Sequence, residues 1–159
     1  METHSLVAPQ RSSSNNCSVG LNIPKLLPIT ATFAAPLSLY YIVLSARVVG
    51  ERLRSKQYSG EGEHGTQIKA ITRSQVNFAE NVPLALALAA FAELNGANRR
   101  VLAGALGALT VFRVLHADFG LLGPDHMGFG RAPGFFGTIG VLGMLGTYGA
   151  YLVKGYWGF

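Results

Sequence analysis

Four apolar stretches, separated by polar or glycine-rich connections, follow a polar start of the chain. A helix as long as any of these stretches can cross the roughly 30 Å hydrocarbon core of a bilayer. Short connections between such helices favour antiparallel neighbours. The pattern therefore predicts an all-α, integral-membrane four-helix up-and-down bundle over residues 23–159. Its helices are expected at about residues 26–46, 68–94, 101–122 and 132–153.

The first 22 residues are rich in serine and asparagine and show no apolar periodicity. We expect this segment to be a disordered tail, and it lacks the apolar core of a secretory signal. Its Cys17 is the one cysteine of the chain, which excludes an internal disulfide and a cysteine-based zinc site. No metal site is expected.

Composition agrees with a membrane protein, because only 13% of the residues are charged and the mean hydropathy is +0.30. The net charge of +5 does not predict a nucleic-acid-binding protein, since the basic residues lie between the apolar stretches and not along one exposed face. Basic connections instead orient membrane helices. The first connection holds the richest basic cluster: Arg47, Arg52, Arg54, Lys56 and Lys69. We therefore expect this connection in the cytoplasm and both chain ends on the opposite side of the membrane.

Charges enter the second apolar stretch, where Arg73, Asn77 and Glu80 follow one another at i, i+4 and i+7. This spacing places the three side chains on one helix face. Arg113 and His116 share a face of the third helix in the same way. A charge at membrane depth costs roughly 2.5 to 3.5 kcal/mol, so we expect the two polar faces to meet inside the bundle.

Two explanations of these charges remain open. The first is a buried structural ion pair between Glu80 and either Arg73 or Arg113. The second is an anionic ligand, because Arg73, Arg113 and Arg131 would leave positive charge unpaired near one membrane face, and arginine binds carboxylates through two parallel hydrogen bonds.

The string "RSQVNFAENVP" resembles the Arg-x-x-x-Asn-x-x-Glu-x-x-Pro signature of the MAPEG family, the membrane-associated proteins of eicosanoid and glutathione metabolism. The strings "RVLH", "SARVVGERLR" and "RAPGFFGT" fit the same family, and the overall similarity is greatest to its bacterial-type members. The resemblance implies a homotrimer, in the endoplasmic reticulum or another intracellular membrane of a eukaryote or in the inner membrane of a bacterium. It also implies glutathione as co-substrate, bound between neighbouring subunits near the cytoplasmic face.

Carried over by position, the resemblance implies that Arg131 stabilises the glutathione thiolate, which attacks a lipophilic electrophile or a lipid hydroperoxide. It also implies a set of glutathione-binding residues: Arg47, Arg73, Gln75, Asn77, Glu80, Arg113 and His116. The chain departs from the family pattern at Gly120, where the synthase branches have a tyrosine. Three further residues of this region have no assigned role: Asp118, Asp125 and His126.

The leading hypothesis is a membrane-bound glutathione transferase, with peroxidase activity as a further possibility. A non-catalytic lipid-binding scaffold of the same fold is the first alternative, although it would not need the arginine set. A small transporter or channel subunit is the second, but the chain shows no internal repeat. The glycines spaced by three from Gly134 to Gly149 predict a smooth ridge that lets helices pack closely in lipid.

Overall fold

The computed structural model describes residues 26–56, 65–121 and 128–158, and these residues form four long helices. Helix α1 covers Pro28–Ser55, α2 Gly65–Leu94, α3 Arg99–His116 and α4 Arg131–Leu152. A π-helical turn, Ala117–Leu121, continues α3, and a 3₁₀ turn, Lys154–Trp157, follows α4. The predicted all-α bundle is confirmed. The predicted tail, Asp125 and His126 lie outside the described residues.

Helix α1 is longer than its apolar stretch, because it continues through the basic residues that were expected to begin the first connection. Val48 and Glu51 on this extension are buried. Arg52 and Arg54 lie in the last turn, where cations interact favourably with the helix dipole. Lys56, in a left-handed backbone conformation, ends the helix.

Successive helices are antiparallel, as side-chain contacts between them show. The beginning of α1 meets the end of α2, where the Glu93 carboxylate accepts hydrogen bonds from the backbone N–H groups of Ile29 and Thr30, each at 2.9 Å. These N–H groups belong to the first turn of α1, where backbone N–H groups have no acceptor within the helix itself. Between α3 and α4, the backbone N–H of Asn98 donates to the Tyr148 hydroxyl at 2.9 Å.

The centre of the bundle is apolar and packs small α2 side chains against leucines of the other helices. Ala85, Ala89 and Ala92 are completely buried, so the neighbouring helices approach α2 closely. The leucines around them are also buried: Leu37, Leu44, Leu102, Leu106, Leu109 and Leu145.

The outer surface is apolar as well. Large hydrophobic side chains such as Leu39, Ile42 and Val43 are exposed on α1, and Phe91 is exposed on α2. By length and composition, three helices could cross a membrane: Pro28–Ser55, Arg99–Gly120 and Arg131–Leu152. An apolar core with an apolar exterior is what a bundle surrounded by lipid requires.

The glycine ridge of α4 divides into two parts. Side chains at Gly134 and Gly137 would collide with His116 and Phe112 of α3, so the expected close packing is present in this half. At the remaining glycines an added Cβ atom would have no neighbour within 4 Å, because these positions face open space: Gly140, Gly143, Gly146 and Gly149. Close packing within the chain is therefore confined to the first half of the ridge, beside the polar residues of α3.

Candidate functional site

Arg113 is the largest completely buried side chain of the bundle, with 2% of its surface exposed. Its guanidinium donates to the side-chain oxygen of Asn77 on α2 at 2.6 Å and to the Thr138 hydroxyl on α4. A further bond of 3.2 Å goes to the carbonyl of Gly134. All these acceptors are neutral, and Nε has no partner in the described part of the chain, so the positive charge remains uncompensated.

The bond to Arg113 fixes the orientation of the Asn77 amide, because a guanidinium can only donate and the amide oxygen must accept. The amide nitrogen is then directed elsewhere, and it has no hydrogen-bond partner among the described residues. Asn77 also lines a polar cleft of the bundle. Because the oxygen is taken by Arg113, the amide nitrogen is the part of Asn77 that remains to donate to a ligand in this cleft.

This cleft has a volume of about 550 Å³, within the range of small-molecule sites. Its described lining consists of Arg73, Asn77, His116, Gly128, Phe129, Arg131, Ala132 and Phe135. These residues include two arginines, an amide and a histidine, but no carboxylate. Together with the buried charge of Arg113 behind Asn77, they form a site suited to an anion.

His116 and Arg131 meet at the entrance of α4. The Nδ1 atom of His116 lies 3.0 Å from the Arg131 carbonyl oxygen. A carbonyl only accepts, so Nδ1 carries the hydrogen, and Nε2 is the ring atom left to interact with a ligand. The Arg131 side chain is exposed at the cleft, at the first position of α4.

Glycines allow the end of α3 and the beginning of α4 to approach this closely. A side chain at Gly120 would come within 2.8 Å of the backbone of Arg131. Side chains at Gly128 and Gly130 would come within 2.0 and 2.2 Å of the carbonyl oxygens of Phe119 and Leu115. Such separations are impossible without moving the backbone. A glycine at position 120, where the synthase branches of the family have a tyrosine, is thus what allows this close packing.

The structure brings together only part of the predicted site. Arg73, Asn77, His116 and Arg131 line one cleft, with Arg113 behind it. The expectation that the whole α2 stripe turns inward is wrong, since Arg73 and Glu80 are exposed and only Asn77 meets α3. The structural ion pair is also absent, because Glu80 pairs with neither arginine in the described part of the chain.

Three other predicted or unassigned residues contact α1 or lie on it, away from the cleft lining. Gln75 donates to the Tyr41 and Ser45 hydroxyl groups, each at 3.2 Å. Arg47 forms an ion pair with Asp118 of the π-helical turn. Asp118, which had no role from sequence, is therefore a partner of α1.

Sequence reasoning missed Thr138, Phe129 and Phe135. Thr138 is the sole polar side chain in the apolar first half of α4 after Arg131, and that isolation is a signal which could have identified it. Phe129 and Phe135 lie on either side of Arg131 in the chain and line the cleft with it. Nothing in their spacing distinguishes them from other phenylalanines of the region.

Comparison with known protein families gave a match to the model described as "MAPEG family" over residues 30–151. Comparison with characterised protein sequences and with solved structures gave no significant match. The family match covers α2 and α3, all but the outermost residues of α1 and α4, and every residue of the described cleft. The matched range agrees with the four helices and includes the polar residues of α2 and α3. The chain belongs to the MAPEG family of membrane proteins of eicosanoid and glutathione metabolism.

Proposed function

We propose that this protein is a membrane-bound glutathione transferase that joins glutathione to lipophilic electrophiles. Membership of a family of glutathione-dependent membrane proteins supports the general class. The observation that carries the proposal is the cleft itself, in which Arg73, Arg131, His116 and the donor end of Asn77 surround about 550 Å³ with no described carboxylate. Glutathione has two carboxylates and a thiol that ionises, so a donor-rich cationic cleft suits it.

The cationic groups favour the reactive form of the co-substrate. A free thiol has a pKa of about 8.5, and nearby positive charge lowers it. Arg131 at the cleft supplies such a charge, and the uncompensated Arg113 adds to it from behind Asn77. The thiol loses its proton to water, and the thiolate forms a carbon–sulfur bond as the leaving group departs with its electron pair.

The same thiolate could act on a lipid hydroperoxide. It would form a sulfur–oxygen bond to the terminal peroxide oxygen, while the oxygen–oxygen bond breaks and the alkoxide takes a proton to become an alcohol. A second glutathione would then reduce the resulting sulfenic acid to the disulfide and release water. With water as the proton donor to the alkoxide, this peroxidase reaction requires no protein group beyond those that stabilise the thiolate.

Aromatic side chains at the mouth of the cleft support a lipophilic second substrate. Phe129 and Phe135 line the cleft, and Phe119 and Phe136 pack against them with ring centres 5.8 and 5.5 Å apart. All four rings are exposed, Phe129 to 76%. An exposed aromatic cluster beside a cationic cleft can receive an apolar molecule while the anion occupies the arginines.

Assembly as a homotrimer in an intracellular or bacterial inner membrane, with several helices crossing it, belongs to the same proposal. Glu80 is exposed on α2 and lies outside the described cleft lining. In a trimer with glutathione between neighbouring subunits, this carboxylate would be available to the ammonium group of a ligand held largely by the next subunit.

The test is a titration of glutathione into the detergent-purified protein, monitored by the ultraviolet absorption of the thiolate near neutral pH. We expect a saturable signal that is lost in Arg131→Ala and retained in Arg100→Ala. The control removes the same charge from an exposed position at the start of α3. Binding without a thiolate would contradict the transferase proposal, and no binding would favour the lipid-binding scaffold.

A further inference from the structure

Asp118 connects α1 to the π-helical turn through both of its carboxylate oxygens. Arg47 forms an ion pair with Oδ1, and the Tyr40 hydroxyl donates to Oδ2 at 2.9 Å. Tyr40 and Arg47 are seven residues apart, which places them two turns apart on one face of α1. The Tyr40 ring also packs edge-on against Phe78 of α2, with ring centres 5.6 Å apart. We call Asp118, Arg47 and Tyr40 the Asp118 tether.

The opposite side of the same turn holds the segment that leads into α4. The carbonyl of Phe119 accepts from the N–H of Gly130 at 3.3 Å, and that of Gly120 accepts from the N–H of Gly128 at 3.0 Å. The N–H of Arg131 in turn donates to the carbonyl of Gly128 at 3.1 Å. The backbone next to Asp118 is therefore bonded directly to the backbone that carries Arg131.

The π-helical turn and the segment that leads into α4 are tightly packed against each other. Side chains at Gly120, Gly128 and Gly130 would overlap backbone atoms, so the two segments are in direct backbone contact. Close-packed segments transmit displacements, since they cannot absorb them by local compression. A shift of the π-helical turn relative to α1 must then move the entrance of α4, including Arg131 and the carbonyl that faces His116.

We infer that Asp118 is a positioning residue, which acts through the π-helical turn to hold Arg131 and His116 where they face the cleft. Arg47 acts from the other end of the tether, as the partner of Asp118 on α1. The inference rests on the proposed function in that the positioned groups are those which stabilise the thiolate. The assignment also gives a reason for an acidic residue in this turn, which otherwise carries only small and apolar residues.

The test uses the full-length protein with Asp118→Ala, and with Tyr40→Phe as the variant that removes one bond and keeps the ring. Amide hydrogen exchange is measured over a first segment, residues 117–121 and 128–134, and a second segment, residues 140–152. We expect exchange in the first segment to accelerate about tenfold in Asp118→Ala and less in Tyr40→Phe, with the second segment unchanged. Thr147→Ala is the control, because in the described part of the chain this exposed hydroxyl bonds just to the Gly143 carbonyl of its own helix.

A second readout separates positioning from mere stability. In Asp118→Ala the midpoint of thiolate formation should move to higher pH and turnover should fall about tenfold, while the affinity for glutathione changes less. Unaltered exchange in residues 117–121 and 128–134 would overturn the inference whether or not glutathione binds. Faster exchange with an unaltered thiolate midpoint would also overturn it. A wild-type protein without a thiolate signal would contradict the proposed function instead, and the exchange result would then decide the tether alone.

Discussion

Arg113 of α3 and Asn77 of α2 share a buried hydrogen bond of 2.6 Å, in which the guanidinium donates to the amide oxygen. The same guanidinium also donates to a hydroxyl and a carbonyl of α4. These neutral acceptors hold the group in place and leave its charge available to the cleft on the other side of Asn77. One bond therefore joins two helices and orients an amide towards a prospective anion.

Asn77→Asp should separate stability from ligand binding. Aspartate can keep the bond to Arg113 and make it charge-assisted, so the unfolding temperature should be maintained or raised. The cleft would, however, gain a carboxylate, and glutathione affinity should fall about tenfold or more. Asn95→Asp adds the same charge at an exposed position near the end of α2 and should bind normally. Normal binding by Asn77→Asp would show that the amide does not face the ligand.

Glu80 provides a test of assembly. If glutathione lies between subunits and Glu80 contacts its ammonium group, Glu80→Gln should weaken binding about tenfold. It should have no effect on N-acetylglutathione, which lacks that charge. Arg73→Ala removes a residue of the cleft lining and should weaken the binding of both compounds. Calorimetric titration in detergent distinguishes these patterns, and equal losses for both compounds in Glu80→Gln would contradict the ammonium contact.

Gly120→Ala should destabilise the protein and reduce its turnover. The added methyl group would lie 2.8 Å from the Arg131 backbone, and such overpacking costs about 1 to 3 kcal/mol. The matched control is Gly140→Ala, which places the same group in open space on α4 and gains helix propensity. Thermal unfolding should thus move in opposite directions in the two variants. A neutral Gly120→Ala would show that the junction can relax.

Phe135→Ala should affect the lipophilic substrate and leave glutathione binding intact. The ring lines the cleft beside Ala132, but it has no hydrogen-bond donor for a carboxylate. We expect the KM for a lipophilic electrophile to rise about tenfold, because burying an aromatic ring against an apolar ligand contributes roughly 1.5 kcal/mol. Steady-state kinetics at saturating glutathione measure this change. An equal rise in the KM for glutathione would place the ring in the glutathione site.

The sequence alone predicted the class of fold and the polar and charged residues of the cationic cleft. Apolar stretches of bilayer length admit few structures other than helices, because backbone groups in lipid must bond within their own segment. Polar residues that interrupt such stretches are costly, so their positions point to a site. On this basis Arg73, Asn77, Arg113, His116 and Arg131 were identified, and the structure gathers four of them around one cleft with Arg113 behind it.

Only the tertiary structure decided which polar residues face one another. Helical periodicity placed Asn77 and Glu80 on one stripe, yet the rotation of α2 buries the first and exposes the second. Helical spacing gave Asp118 no partner, but in the structure it bonds to Arg47 and Tyr40, on a helix some seventy residues earlier in the chain. Such pairings depend on how helices rotate and approach, which packing of the whole bundle sets. The glycine contacts around Arg131 belong to the same class, because a backbone approach of this kind is formed by two segments together.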